Sequence, residues 1–223
     1  MEAAVRKRHG VHYTPPNLAK FLAEQTARQI DASQQGPICI LDPACGDGEL
    51  LVALINSLPC PLSQIQVIGV EQNIEAAEIA RNRVTQLNVG RCEIRVGDFL
   101  SEFEKHSLVN SFDIVICGWT VSYSNSPQQL ADEMSRVCKD GGLIAVGLEY
   151  STLDEAGYQE LLGYSLAIPG VERINSVQQI NQLFEDQLDQ VFFSHDAPLK
   201  RSHSAKGLVA FPSSVASIFS IKK

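Results

Sequence analysis

The sequence predicts an α/β fold: a doubly wound, mostly parallel seven-stranded sheet with an N-terminal lid helix and a C-terminal antiparallel hairpin. Three observations predict it. Strand-like runs such as "FDIVICGW" and "GLIAVGLEY" are apolar almost throughout, as strands covered on both faces must be. Helical stretches alternate with these runs, giving βαβ units. No helix separates the last strand-like runs, so antiparallel pairing is expected there.

The elements follow in order. "YTPPNLAKFLAEQTARQI" is a helix with Thr14 as its N-cap, prolines in a tolerant first turn, and Leu18, Phe21 and Leu22 on one face. It should pack onto the sheet ahead of the first strand. "PICILDPA" is a strand and "GELLVALINSL" a helix. "IQVIGVEQ" is the second strand, followed by the helix "NIEAAEIARNRVTQL". "CEIRVGDF" is the third strand and "FDIVICGW" the fourth. The helix "SPQQLADEMSRVC" leads to the strand "GLIAVGLEY", where Lys139-Asp140-Gly141-Gly142 makes the helix-to-strand turn. "SVQQINQLFEDQL" is helical. "QVFFSH", "GLVAFP" and "SIFSI" are strands, and the polar link "DAPLKRSHSAKG" reads as a loop within a hairpin. The segment 151–175 holds "YQELLGYSLAIPG", which is either an ordinary helix and turn or a cap over a pocket.

At 223 residues, 44% of them hydrophobic, the chain is long enough for one well-buried core and one domain. A net charge of -8 argues against a surface covered in phosphate-binding basic residues. The basic cluster Arg6 to His9 reads as a solvated end. The six cysteines form no C-x-x-C pair and no zinc-ligand spacing, so no metal is expected. Several sit in apolar runs, where a reduced thiol is a small core residue. The first residues lack an apolar stretch of the export type, and no run is long enough to span a bilayer. A cytoplasmic protein without a membrane partner is the expectation.

The stretch "ILDPACGDGELL" carries the functional signal. Asp42 to Gly48 joins a strand to a helix at the carboxyl end of the sheet, where open α/β folds bind ligands. Gly46 and Gly48 remove side chains, so a ligand can lie against bare backbone. The turn is not G-x-G-x-x-G and has no Lys-Ser or Lys-Thr for a triphosphate. Its acids, Asp42 and Asp47, suit a positively charged ligand such as an ammonium or a sulfonium. Glu71 ends the next strand about 20 residues on, the place of an acid that holds ribose hydroxyls. Asp98 ends the third strand and can accept from an adenine amino group, with Phe99 beside the ring. Three acids at successive strand ends point to a nucleoside ligand.

These residues resemble the Rossmann-like methyltransferases that use S-adenosylmethionine. The stretches "GVHYTPPNLAKFLA", "LDPACGDGELLVAL" and "GVEQNIEAAEIA" are similar to the adenine amino-group DNA methyltransferases. The resemblance implies that Tyr13, Thr14 and Pro15 close over S-adenosylmethionine. It implies that Asp42, Ala44, Gly46 and Gly48 hold the amino-acid part, and that Glu71 and Asp98 hold the nucleoside. Gln72 beside Glu71, Phe99 beside Asp98, and Cys117 with Trp119 after the fourth strand complete the expected cofactor set. On this reading residues 1–35 form the lid and first helix, 36–150 the cofactor-binding half and 151–223 the acceptor side.

The pattern departs from the DNA enzymes after the fourth strand. Where they carry Asn-Pro-Pro-Tyr, or Asp in place of Asn, this chain has Gly118-Trp119-Thr120-Val121. The second half, "FDIVICGW" to "LEY", looks instead like small-molecule methyltransferases. The expected function is therefore methyl transfer to a small-molecule or peptide acceptor. A nucleic-acid methyltransferase with a degenerate amine motif, or a non-catalytic binding module, are the alternatives. The general-base candidate is His195 in "FSHDAP", while Tyr123 and Glu149 are expected to line the acceptor pocket.

Overall fold

The computed structural model describes residues 14–31, 36–104, 108–149, 174, 177–184, 188–195, 199–204, 207–211 and 214–221. Helix α1 spans Pro16–Ala27 with Pro15 as its N-cap and no capping side chain. Thr14 is therefore not the cap expected of it. Prolines at 15 and 16 already remove backbone donors that a cap would serve. Leu18, Ala19, Leu22 and Ala23 are buried; α1 packs chiefly against helix α2 (Glu49–Ser57) and also on the sheet, as expected. The expected lid residues up to Tyr13, and the cap segment 151–175 apart from Ile174, lie outside the described residues.

Strands β1 (Ile38–Asp42), β2 (Ile65–Glu71), β3 (Arg91–Val96), β4 (Phe112–Cys117) and β5 (Cys138–Glu149) pair in parallel. Helices α3 (Ile74–Thr85), α4 (Phe99–Glu104) and α5 (Pro127–Val137) connect them, and α6 (Val177–Leu183) follows β5. The C-terminal strands are β6 (Leu188–His195), β7 (Leu199–Ser204), β8 (Gly207–Phe211) and β9 (Ser214–Ile221). The main sheet has the order β3-β2-β1-β4-β5-β9-β6. Five of its seven strands make the parallel block, while β9 runs antiparallel to both β5 and β6.

The C-terminal hairpin differs from the expected one. The run "QVFFSH" pairs with β9, not with "GLVAFP". The latter pairs with β7, inside the link expected to be a loop, and the two form a separate antiparallel ribbon. A polar composition does not separate a loop from a strand whose partner is local, because strand preference depends on the neighbour it meets.

Alternation along the strands divides the core between the two faces. Ile40, Ile114 and Ala145 join one cluster with Leu22, Leu51, Leu54 and Ala80. Leu41, Val115 and Ile144 join the other with Phe99, Leu130, Met134 and Ile180. Each fully buried Leu or Ile contributes about 1.5–3 kcal/mol. At the amino end of the sheet, Asp113 accepts from both the Cys39 N–H and the Lys139 ammonium, tying β1, β4 and β5 together. The candidate site residues Asp42, Glu71 and Asp98 lie at the opposite end. No helix among the described residues is long and apolar enough to cross a membrane.

Candidate functional site

The turn after β1 is held by its own acids. The Ala44 N–H donates to Asp42 Oδ1 at 3.0 Å, and the Gly46 N–H donates to Glu71 Oε2 at 3.0 Å. The Cys45 N–H reaches across to the Val70 carbonyl, docking the turn on β2. Gly46 has φ +54° and Gly48 φ +83°, a region that favours glycine. At Gly48 a second reason applies: a Cβ there would lie 2.9 Å from Ala80 Cα. Gly48 is absent from the cavity wall, so its missing side chain serves the approach of α2 to α3 rather than a ligand.

Glu71 has two structural partners. Its carboxylate accepts from Gly46 and, at 2.8 Å, from the Asn73 N–H. Asn73 in turn caps α3 by accepting from the Ala76 N–H. A carboxylate has about four acceptor positions, so two remain for a ligand. Asp98 is also a capping residue: Oδ1 accepts from the Ser101 N–H and Oδ2 from the Gln72 amide at 2.8 Å.

Asp42, Glu71 and Asp98 thus stand at or just beyond the carboxyl ends of three adjacent strands and line one cavity of about 780 Å³. Thr14, Ala44, Gly46, Gln72, Phe99 and Trp119 from the expected set also line it. Pro15 and Cys117 do not. Pro15 is exposed at the start of α1, and Cys117 is fully buried in the core beneath. Burial pushes the Cys117 thiol well up, which keeps it a neutral core group. Tyr13 lies outside the described residues.

The acids are not electrostatically equivalent. Asp47 pairs with Arg83 at 3.1 Å, and the same guanidinium reaches Glu49 at 3.1 Å. Asp47 is therefore already compensated and is a poorer partner for a cation than the sequence suggested. Asp42 is only 1% exposed, and no ion pair among the described residues involves it. Burial pushes its carboxyl up to about 7; the Ala44 N–H opposes this and the Glu71 charge adds to it. A cation entering the cavity would supply the missing counter-charge.

The next strand end is different in kind. After β4, residues Trp119–Tyr123 form a 3-10 turn, and Gly118, Trp119 and Thr120 line the cavity. The indole of Trp119 packs on bare backbone of β5: a Cβ at Gly147 would come within 3.0–3.2 Å of three of its ring carbons. A Cβ at Gly118 would lie 2.8 Å from the Thr14 hydroxyl. Of the catalytic candidates, Tyr123 closes the 3-10 turn and Glu149 closes β5. His195 closes β6 and shares a register row with Glu149 through Ser214 between them. Their backbones are about 10 Å apart, two strand spacings.

Three residues of this site were not singled out from the sequence. Asn73 had a readable signal, a capping residue directly before a helical run. Arg83 and Gly147 had none, because their partners Asp47 and Trp119 meet them only in the folded chain.

Comparisons with known proteins address the family and the fold. The family described as "Methyltransferase domain" matches residues 37–187. The Type II methyltransferase M.BanIII of Aneurinibacillus aneurinilyticus is 30% identical over 116 residues, covering 48% of this chain and 19% of that protein. The chain thus spans about a fifth of that relative's length. The malonyl-[acyl-carrier protein] O-methyltransferase of Priestia megaterium is 26% identical over 220 residues, covering 93% of this chain and 73% of that protein. The crystal structure of the YcgJ protein of Bacillus subtilis superposes with a TM-score of 0.67 at 17% identity, covering 93% of this chain and 99% of that one. At that identity the likeness concerns the fold.

Proposed function

This chain belongs to the methyltransferase domain family, and from that premise we propose that it transfers a methyl group from S-adenosylmethionine to a small-molecule or peptide acceptor. The observation that carries the reading is the row Asp42, Glu71 and Asp98, set around a glycine turn that leaves backbone bare. When bound, S-adenosylmethionine supplies an electrophilic methyl on a positively charged sulfur. The groups present fit such a donor. Asp42, buried and without an ion-pair partner among the described residues, faces the cationic end. Glu71 has free acceptor positions for ribose hydroxyls. Asp98 with Phe99 takes the base.

The chain's own contribution to the reaction is mainly positional, because in-line displacement depends on alignment of nucleophile and methyl. Leu50, Phe99, Trp119 and Leu130 give the cavity apolar wall that keeps water away from the donor. His195, Tyr123 and Glu149 are the proposed acceptor-side residues, with His195 as the base where the acceptor needs one. A relative that matches 93% of this chain is named a malonyl-[acyl-carrier protein] O-methyltransferase, which favours an acceptor of that kind over a nucleic acid.

Calorimetry tests the donor claim. Binding of S-adenosylmethionine is expected, with Asp42→Ala removing it; folded protein that shows no heat with this ligand rejects the reading. A second reading has an observation in its favour, the 30% identity to a Type II methyltransferase over 116 residues. It predicts salt-sensitive binding to duplex DNA or RNA. Gly118 stands against it, and absence of a mobility shift at low salt would remove it. Donor binding without turnover across a broad acceptor panel would favour a non-catalytic module instead.

A further inference from the structure

We propose that the donor takes the place of a proton: in the empty site the Asp42 carboxyl is protonated, and it gives that proton to solvent when the cationic donor is bound. The inference rests on the donor reading above and adds a second ligand, the proton, to the same site.

The cavity wall carries acid and no base. Five carboxylic residues line it, Asp42, Asp47, Glu49, Glu71 and Asp98, and among the described residues no lysine, arginine or histidine does. Two of the five are compensated from outside the wall, since the Arg83 guanidinium reaches both Asp47 and Glu49. Asp98 is exposed, where water solvates its charge. Asp42 and Glu71 remain. Asp42 is paired in register with Gly69, so Glu71, two positions further along β2, stands diagonally from it on the same face of the sheet.

Two carboxylates so placed compete for one proton. Burial and hydrogen bonds decide which keeps it. Glu71 is partly exposed and accepts from two backbone N–H groups, those of Gly46 and Asn73. Asp42 is 1% exposed and accepts from the Ala44 N–H alone among the described residues. The other titratable groups that face Asp42 are the thiols of Cys45 in the turn and Cys117 at the end of β4. Burial pushes both thiols up, so neither brings a charge that could replace the proton. The same burial holds the Asp42 carboxyl up to about 7.

A buried carboxylate without a counter-charge is unfavourable, so the neutral carboxyl is the stable form in the empty cavity. A cation beside it reverses the balance. The O–H bond of Asp42 then breaks, the proton passes to bulk buffer, and the carboxylate stays to face the cation. After product release the carboxyl takes a proton back, so a full cycle leaves Asp42 as it began.

Calorimetry in buffers of different protonation enthalpy counts the protons released per ligand bound. With S-adenosylmethionine the count should be about 0.9 at pH 6 and about 0.5 at pH 7. Its affinity should fall by roughly tenfold for each pH unit below pH 6. 5′-Methylthioadenosine has the same nucleoside and no charge; it should release no proton and hold its affinity. A second measurement assigns the proton without asking a variant to bind ligand. At pH 6 the infrared band of a protonated carboxyl should be present in the empty protein, vanish in the S-adenosylmethionine complex, and be missing from empty Asp42→Asn protein. A proton count near zero at pH 6, equal counts for the two ligands, or a band that Asp42→Asn retains overturns the inference and leaves the donor reading standing. Folded protein that binds neither ligand rejects the donor reading, and this inference with it.

Discussion

The tips of β1 to β3 and the segment that follows β4 form two halves of one cavity wall and are built on opposite principles. The first half is acidic and locally wired. Asp42 serves the turn that follows it, Glu71 accepts from Gly46 and Asn73, and Asp98 caps the helix it precedes. Each acid has a structural task within a few residues or on the adjacent strand. The second half is a short 3-10 turn joined to distant pieces: Thr14 on Gly118 and Trp119 on Gly147. A locally wired half can keep its ligand while the other half changes partner.

The largest expected effect concerns Asp42. Its carboxyl ionises near 3.8 when unfolded and is held up to about 7 in the folded chain. In that window the folded chain keeps a proton that the unfolded chain has lost, so stability falls as pH rises from about 4 to 7. Asp42→Asn removes that dependence. Thermal or urea unfolding should find the variant gaining on wild type from pH 4 to pH 8 by up to about 4 kcal/mol, while donor binding at pH 8 is lost. A flat difference across pH would show that Asp42 is not the strained acid of this half.

Glu71→Ala comes next. It leaves two backbone donors without their partner and removes the proposed ribose contact, so donor affinity should fall about 100-fold or more by calorimetry. Trp119→Ala, on the other half, should weaken S-adenosylhomocysteine far less. Equal losses in the two variants would break the division between the halves.

Gly48→Ala is expected to destabilise the protein by about 2–3 kcal/mol in denaturant unfolding, since it combines a left-handed backbone with a 2.9 Å approach to Ala80 Cα. A neutral outcome would return Gly48 to the ligand side. The smallest effect is assigned to Arg83→Met. Its ion pairs with Asp47 and Glu49 are partly exposed, so stability should change by only about 0.5–1 kcal/mol. Freeing Asp47 should make the cavity more acidic, and a modest gain in affinity for the cationic donor over S-adenosylhomocysteine would sharpen the contrast with Asp42.

Most of the parallel block was legible, because apolar strands and amphipathic helices write their period into neighbouring residues. The runs around "CILDPA", "VIGVEQ" and "FDIVIC" became β1, β2 and β4. The acids at their ends were legible for the same reason, since a strand end followed by a turn is a local event. The C-terminal pairing was not. Whether "QVFFSH" meets "GLVAF" or "SVASIFSI" depends on which edge β5 offers, and that contact joins residues far apart in the chain. The cap role of Thr14 failed because two prolines next to it changed what the helix start required.

By itself, then, the order of residues determined that a glycine turn and three carboxylates would stand at one edge of a doubly wound sheet. These are near-neighbour properties, dictated by side-chain period and by backbone freedom at single positions. Only the tertiary structure decided that Asp47 would pair with Arg83, that Asp42 would be buried without an ion-pair partner among the described residues, and that the Thr14 hydroxyl would lie beside Gly118. The physical reason is that charge compensation and close approach depend on distance in space, and distant segments acquire their distances only once the core has packed.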